Sequence, residues 1–172
     1  MTSVQLRPPE NRVSSRAVYL WTLRAAVQGG IMLAILVALA WWGSHPRVGW
    51  LPGAIEGFAW WIPGLYFAYA LLKTAVAPQW RYRVHRWEIA ADVVYTRVGW
   101  VSRQWQLVPV SRIQTVDHTQ GWLERMFNVA TLQIQTASHA GSSSIEGLDA
   151  DLARRLSEDL AVRASELRDD AT

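Results

Sequence analysis

The 172-residue chain contains no cysteine. That excludes disulfides, thiol catalysis and cysteine-ligated metal, and leaves the redox compartment open. Lysine is nearly absent: Lys73 stands alone beside sixteen arginines, and the net charge is only +3. Charged residues make up 18% of the chain and hydrophobic ones 51%, but the two are unevenly spread. Most of the uncharged length precedes Pro78, and most acidic residues follow it. A chain of this size holds one modest domain with appendages. The asymmetry therefore reads as a membrane portion followed by a water-soluble one.

The membrane portion opens with Ala25 to Trp42, AAVQGGIMLAILVALAWW, eighteen residues without a charge. At about 1.5 Å per residue this run just crosses a hydrocarbon core of roughly 30 Å. It starts well inside the chain and ends in Trp41-Trp42. Signal peptides have a shorter apolar core and a small-residue cleavage site, so a retained span is expected. A second run, Ala54 to about Val76, has Glu56 and Lys73 near its ends, where both can reach the interface. Pro63-Gly64 should kink it, and Gly29-Gly30 gives the first helix a flat contact face. The expectation is a transmembrane helical hairpin over 25–76, with spans at about 25–42 and 54–76, after an N-terminal segment 1–24.

Orientation follows from the basic residues. Arg7, Arg12, Arg16 and Arg24 precede the first span; Lys73, Arg81, Arg83 and Arg86 flank the end of the second; the loop between has only Arg47. Both termini are expected in the cytoplasm. Gln28 and Glu56 could be read as a transport site, since polar residues in a membrane are functional candidates. Two helices enclose no pathway without oligomerising, so the hairpin reads as an anchor.

The soluble portion covers 78–168, with 169–172 as a tail. From Trp80 the pattern shifts to a period of two, and WRYRVHRWEI reads as the start of a strand. Val94, Thr96 and Val98 then alternate with Val93, Tyr95 and Arg97, and a second arm follows Gly99-Trp100. Pro109 ends that arm or marks an edge. RIQTVDHT suits a bulged strand, GWLERMFN one helical turn with Trp122, Met126 and Phe127 pressed on a core, and VATLQIQTAS and SSSIEGL two further strands. The chain closes in an amphipathic helix. Asp149 is a plausible N-cap, and Leu148, Leu152, Leu156, Leu160 and Leu167 form its apolar stripe. Asp151–Arg155, Arg154–Glu158 and Asp159–Arg163 are i,i+4 pairs on its polar face.

VPVSRIQTVDHTQGWLERMFNVATLQIQTAS and the later IEGLDADLARRL resemble the bacterial pleckstrin-homology (PH)-like domain of the membrane-flanked, YdbS-like family. The matching pieces are Pro109 to Val116, Leu123 to Asn128 and Ala130 to Ile134, in family order. Asn128 stands where a Gly is usual, and Asn tolerates left-handed backbone better than most residues. The resemblance implies an α+β protein: the helical hairpin, then a PH-like antiparallel, partly closed β-barrel of about seven strands with a C-terminal capping helix. It implies a multi-pass protein of the bacterial inner membrane and brings no catalytic residue, metal or cofactor.

The Asp117-His118 pair looks like chemistry, but neighbours on a strand point to opposite faces and cannot converge on one atom. No nucleophile is indicated, and His85, His118 and His139 lack metal-ligand spacing. Acidic residues interleave through the last helix, which argues against nucleic acid. Two binding candidates remain. Arg81, Arg83 and Arg86 could hold anionic lipid headgroups at about 1 kcal/mol each, although the same cluster serves as a positive-inside signal. Arg97, Trp100 and Arg103 at a hairpin tip have the composition of a partner-contact hot spot, unless Trp100 folds back on the barrel. The expected role is non-enzymatic: a membrane-anchored binding or scaffold domain. Its expected partner is another integral membrane protein; the resemblance adds one with related PH-like domains as a candidate and associates such complexes with envelope maintenance or stress resistance. The competing reading is an anionic-lipid-binding or transporter-regulating subunit.

Overall fold

A computed structural model describes residues 9–45, 58–90, 92–99, 104–137 and 141–169. The chain divides into two compact units. One is Trp21–Pro78; the other combines the residues up to Leu20 with those from Gln79 onward.

The first of these units is helical. Helix α1 is Arg16–Gly43 and helix α2 is Trp61–Val84; their stretches within the unit are apolar. A Cβ added to Gly29 would lie 3.4 Å from the Ala70 Cβ, whereas Gly30 has nothing near it. The expected close contact thus falls on Gly29 alone. Among the described residues only α1 is long and apolar enough to cross a membrane, and hardly any of its apolar window is buried. The expected hairpin of two spanning helices is corrected to one candidate. The apolar run of α2 is diluted by Pro63, Tyr66, Tyr69 and Lys73, and its last turn carries Arg81 and Arg83. Residues 54–57 of the expected second span lie outside the described residues.

Helix α2 also corrects the strand expected from Trp80, because it runs on to Val84 with Pro78 inside it. Proline removes one backbone donor, but Arg81 and Arg83 in the last turn complement the helix dipole. The alternation Trp-Arg-Tyr-Arg imitates a strand period without being one.

Among the described residues the second unit contains seven antiparallel strands in two sheets. The first sheet has the order β1 (Asn11–Arg12), β2 (Arg86–Ala90), β3 (Val93–Val98), β4 (Gln104–Pro109). The second has the order β5 (Ile113–Thr119), β6 (Val129–Thr136), β7 (Ser143–Asp149). A 3₁₀ turn, Val110–Arg112, joins them; α3 (Trp122–Met126) links β5 to β6, and α4 (Ala150–Asp169) ends the fold. Among the described residues no ladder connects the sheets, so the partly closed barrel expected is corrected to two open sheets. Side chains make the link instead. The Ser143 hydroxyl in β7 donates to Gln106 Oε1 in β4 at 2.8 Å and lies 3.1 Å from the Thr96 hydroxyl in β3.

Strand β1 comes from ahead of α1. Asn11 pairs with Trp87 and Arg12 with Arg86. Two residues later Ser14 N donates to the Gly147 carbonyl at 2.8 Å, so this short segment touches both sheets. Gly147 is buried with φ 79°, a backbone that L side chains seldom adopt.

The core follows the alternation read from the sequence. Leu132 and Ile134 in β6 are fully buried, while Gln135 between the same strand's neighbours is exposed. Val94 and Thr96 point inward from β3, as their spacing predicts. In α4 the buried positions are Ala153, Ser157, Leu160 and Ala164, with Leu152, Leu156 and Leu167 half-buried beside them. The Asp149 side chain accepts from Asp151 N at 3.2 Å, which places the helix start as expected. Of the three predicted i,i+4 pairs only Asp159–Arg163 forms, at 3.0 Å. Arg155 turns instead to the Asp151 carbonyl. Asn128 has φ 52°, the left-handed conformation that the resemblance requires there.

Helix α3 departs from expectation in one respect. It forms where predicted, but Trp122 is 74% and Met126 70% exposed. The helix buries Leu123 and Phe127 partly, and Glu124 Oε2 accepts from Gly121 N at 2.8 Å, closing the exposed helix N-terminus.

Candidate functional site

The arginine cluster at the end of α2 does not converge on one site. Arg81 makes a 2.7 Å ion pair with Glu146 of β7. Arg86 is half-buried in the sheet, its Nη1 donating to the Glu10 carbonyl at 3.4 Å and its Nε without a hydrogen-bond partner. Arg83 alone projects into solvent. Glu146, some 65 positions away, could not be anticipated as the partner of Arg81 from local spacing.

Beside this pair lies His85, buried, with Nδ1 3.1 Å from the Arg81 carbonyl. Burial, and secondarily the Arg81 charge, push its pKa below 6.5; the hydrogen bond to Arg81 and the Glu146 carboxylate oppose the shift. The neutral ring with Nδ1–H donating to the carbonyl satisfies this geometry.

At the hairpin tip, Trp100 and Arg103 lie outside the described residues. Arg97 does not point away from the domain. Its Nε donates to the Val84 carbonyl at 3.3 Å, and its guanidinium stands 5.6 Å from the Trp105 ring centroid. The Trp105 stack is invisible in sequence spacing, since it depends on the β3–β4 register that sets Arg97 opposite Trp105.

The Asp117-His118 pair separates as strand geometry demands. Asp117 lies opposite Gln133 and His118 opposite the buried Leu132. His118 Nδ1 meets the Ser157 hydroxyl of α4 at 3.2 Å, a contact that no sequence motif announces. That hydroxyl also donates to the Arg154 carbonyl at 2.7 Å. A hydroxyl has one proton, so Ser157 accepts from His118 rather than surrendering a proton to it. The pair fastens α4 to β5.

The groove between β6 and β7 has a volume of about 380 Å³ and is lined by Gln133, Ile134, Gln135, Thr136, Ser142, Ser143 and Ser144. Among the described residues it offers amides and hydroxyls and no charge. Such a surface can hydrogen-bond a neutral polar group or a peptide backbone.

Two antiparallel sheets closed by a C-terminal helix define a PH-like domain, here attached to a strongly apolar helix. Comparison with known families agrees: residues 18–164 match the bacterial PH domain family, and the chain belongs to it. It is 30% identical over 168 residues to the UPF0699 transmembrane protein YdbS of Bacillus subtilis (strain 168), covering 94% of this chain and 97% of that protein. No solved structure matches significantly.

Proposed function

We propose that this protein is a non-enzymatic, membrane-anchored PH-like module that assembles with another integral membrane protein. In this reading α2 crosses the bacterial inner membrane beside α1, although among the described residues only α1 is long and apolar enough to cross by itself, and both termini are cytoplasmic. The observation that carries the anchoring scheme is the pairing of β1 with β2. Asn11 and Arg12 lie ahead of the apolar unit, Arg86 and Trp87 lie after it, and all four share one sheet. Chain entering and leaving the apolar unit must then open on one face of the membrane. The basic residues on both flanks favour the cytoplasmic face.

The binding role rests on the surface of the domain. Its strands β4 and β5 are outermost in their sheets, and outermost strands are templates for added chain. The polar β6–β7 groove offers a second docking feature. A role in envelope maintenance or stress resistance belongs to this proposal as an association carried by family resemblance. The lipid alternative is weakened at Arg81, whose charge is engaged by Glu146, and keeps Arg83 as its exposed cation.

The test is purification of the tagged full-length protein from its own membranes in mild detergent. A membrane protein recovered in stoichiometric amount, and lost on Trp100→Ala with folding preserved, is the expected result. Recovery of the protein with enriched anionic lipid and no protein companion would overturn the scaffold reading.

A further inference from the structure

The outward face of α3 carries Trp122, Arg125 and Met126, at spacings i, i+3 and i+4, and all three are exposed. The spacing places them side by side on one helix face. The opposite side accounts for the rest of the helix: Leu123 and Phe127 pack inward, and Glu124 caps its own N-terminus. Arg125 makes no ion pair among the described residues. A Trp, a Met and an Arg presented together, with the one acid of the helix turned away, match the mixture found at the headgroup level of a bilayer.

The place of α3 in the fold supplies the second argument. Asn128, two residues past the helix, accepts from Ala150 N at 3.2 Å. The preceding Asp149 pairs with Arg16 at 3.5 Å, and Arg16 is the first residue of the apolar helix α1. The end of the β5–β6–β7 sheet that carries α3 is therefore the end that holds the start of α1. Asp149 is engaged by Arg16 and Glu124 by the Gly121 amide, while Asp151 is exposed at the same end. Arg125 is the one basic side chain of α3 itself, and it lies on the outward face.

We propose that this face docks on an anionic bilayer surface, with Trp122 and Met126 inserted at the headgroup level and Arg125 against lipid phosphates. It is a membrane contact separate from the apolar unit and from the Arg81–Arg83–Arg86 cluster. It holds the domain against the bilayer instead of leaving it tethered, and so fixes which of its faces remain open to a partner.

The absence of cysteine makes the test direct. Met126→Cys is labelled with an environment-sensitive fluorophore in the full-length protein, with Val162→Cys, exposed on α4, as the control. Each is placed in nanodiscs holding one copy and containing anionic lipid with a spin-labelled headgroup-depth quencher. The expected result is blue-shifted emission at 126 and quenching at least about twofold above the control, both reduced by Arg125→Glu. Emission and quenching equal to the control would overturn the proposal. Shielding at 126 that appears only when several copies share a bilayer would also overturn it, and would make α3 a contact between copies.

Discussion

The two units of this chain use the same residue types in opposite ways. Ile31 of α1 is 59% exposed, while Ile134 of β6 is fully buried. Leu65, Leu71 and Leu72 of α2 are each more than half exposed, whereas Leu132, Leu148 and Leu160 are completely enclosed. In water a contiguous apolar surface of this kind is a liability. Between lipid tails it costs nothing, because the hydrophobic effect there no longer distinguishes inside from outside. The β unit is organised by burial, and the helical unit by the solvent it faces.

The sharpest way to break that contrast is to shorten one side chain from each unit. Leu132→Ala should cost about 3 kcal/mol, since the enclosing sheets cannot collapse into the cavity. Ile31→Ala should cost under about 1 kcal/mol in detergent. Chemical unfolding of the full-length protein followed by circular dichroism measures both, and equal losses would erase the distinction. Next in size is Ser143→Ala, which removes the bridge between the sheets and leaves buried Thr96 and half-buried Gln106 without that partner. A loss of about 1–3 kcal/mol is expected, read as a lower unfolding midpoint.

Smaller effects probe the surface of the β unit. Arg81→Ala should lower stability by no more than about 1 kcal/mol, because the Glu146 pair is partly exposed. A salt titration of the midpoint checks that screening weakens the pair. His85 adds a pH effect with a definite sign. Burial holds its folded pKa below the unfolded 6.5, so the unfolded chain binds more protons between the two values. Its contribution is complete above pH 6.5 and is lost as pH falls below that toward the depressed folded value. His85→Gln should flatten the acid side of a melting-temperature profile. Last is Asn128→Gly, which relieves a left-handed backbone and should change stability by about 0.5 kcal/mol or less, toward greater stability.

Much of the β unit was legible because its signals are local. The Leu132–Ile134 alternation, the cap at Asp149 and the helical turn at Trp122 each depend on neighbours in sequence. What was not legible depends on distant partners. Strand β1 is two residues long and exists only because β2 is there to receive it. The Trp80–Val84 segment alternates like a strand, yet continues a helix begun at Trp61. The sites behaved likewise. Arg81 looked like a free cation until Glu146 met it, and Arg97 looked like a surface contact until the strand register brought Trp105 beside it. A helical turn with Trp122, Met126 and Phe127 on the core holds only for Phe127, because a five-residue helix buries only one side.

The most direct test of the account is the sidedness of the two segments that meet in the β1–β2 ladder. Single cysteines replace Arg12, ahead of α1, and Gln114, in β5, and each is challenged with a membrane-impermeant thiol reagent in intact cells and after lysis. The account predicts that both are protected in intact cells and both react after lysis, as one cytoplasmic domain requires. Reaction of one and protection of the other would place them on opposite faces of the membrane and contradict it.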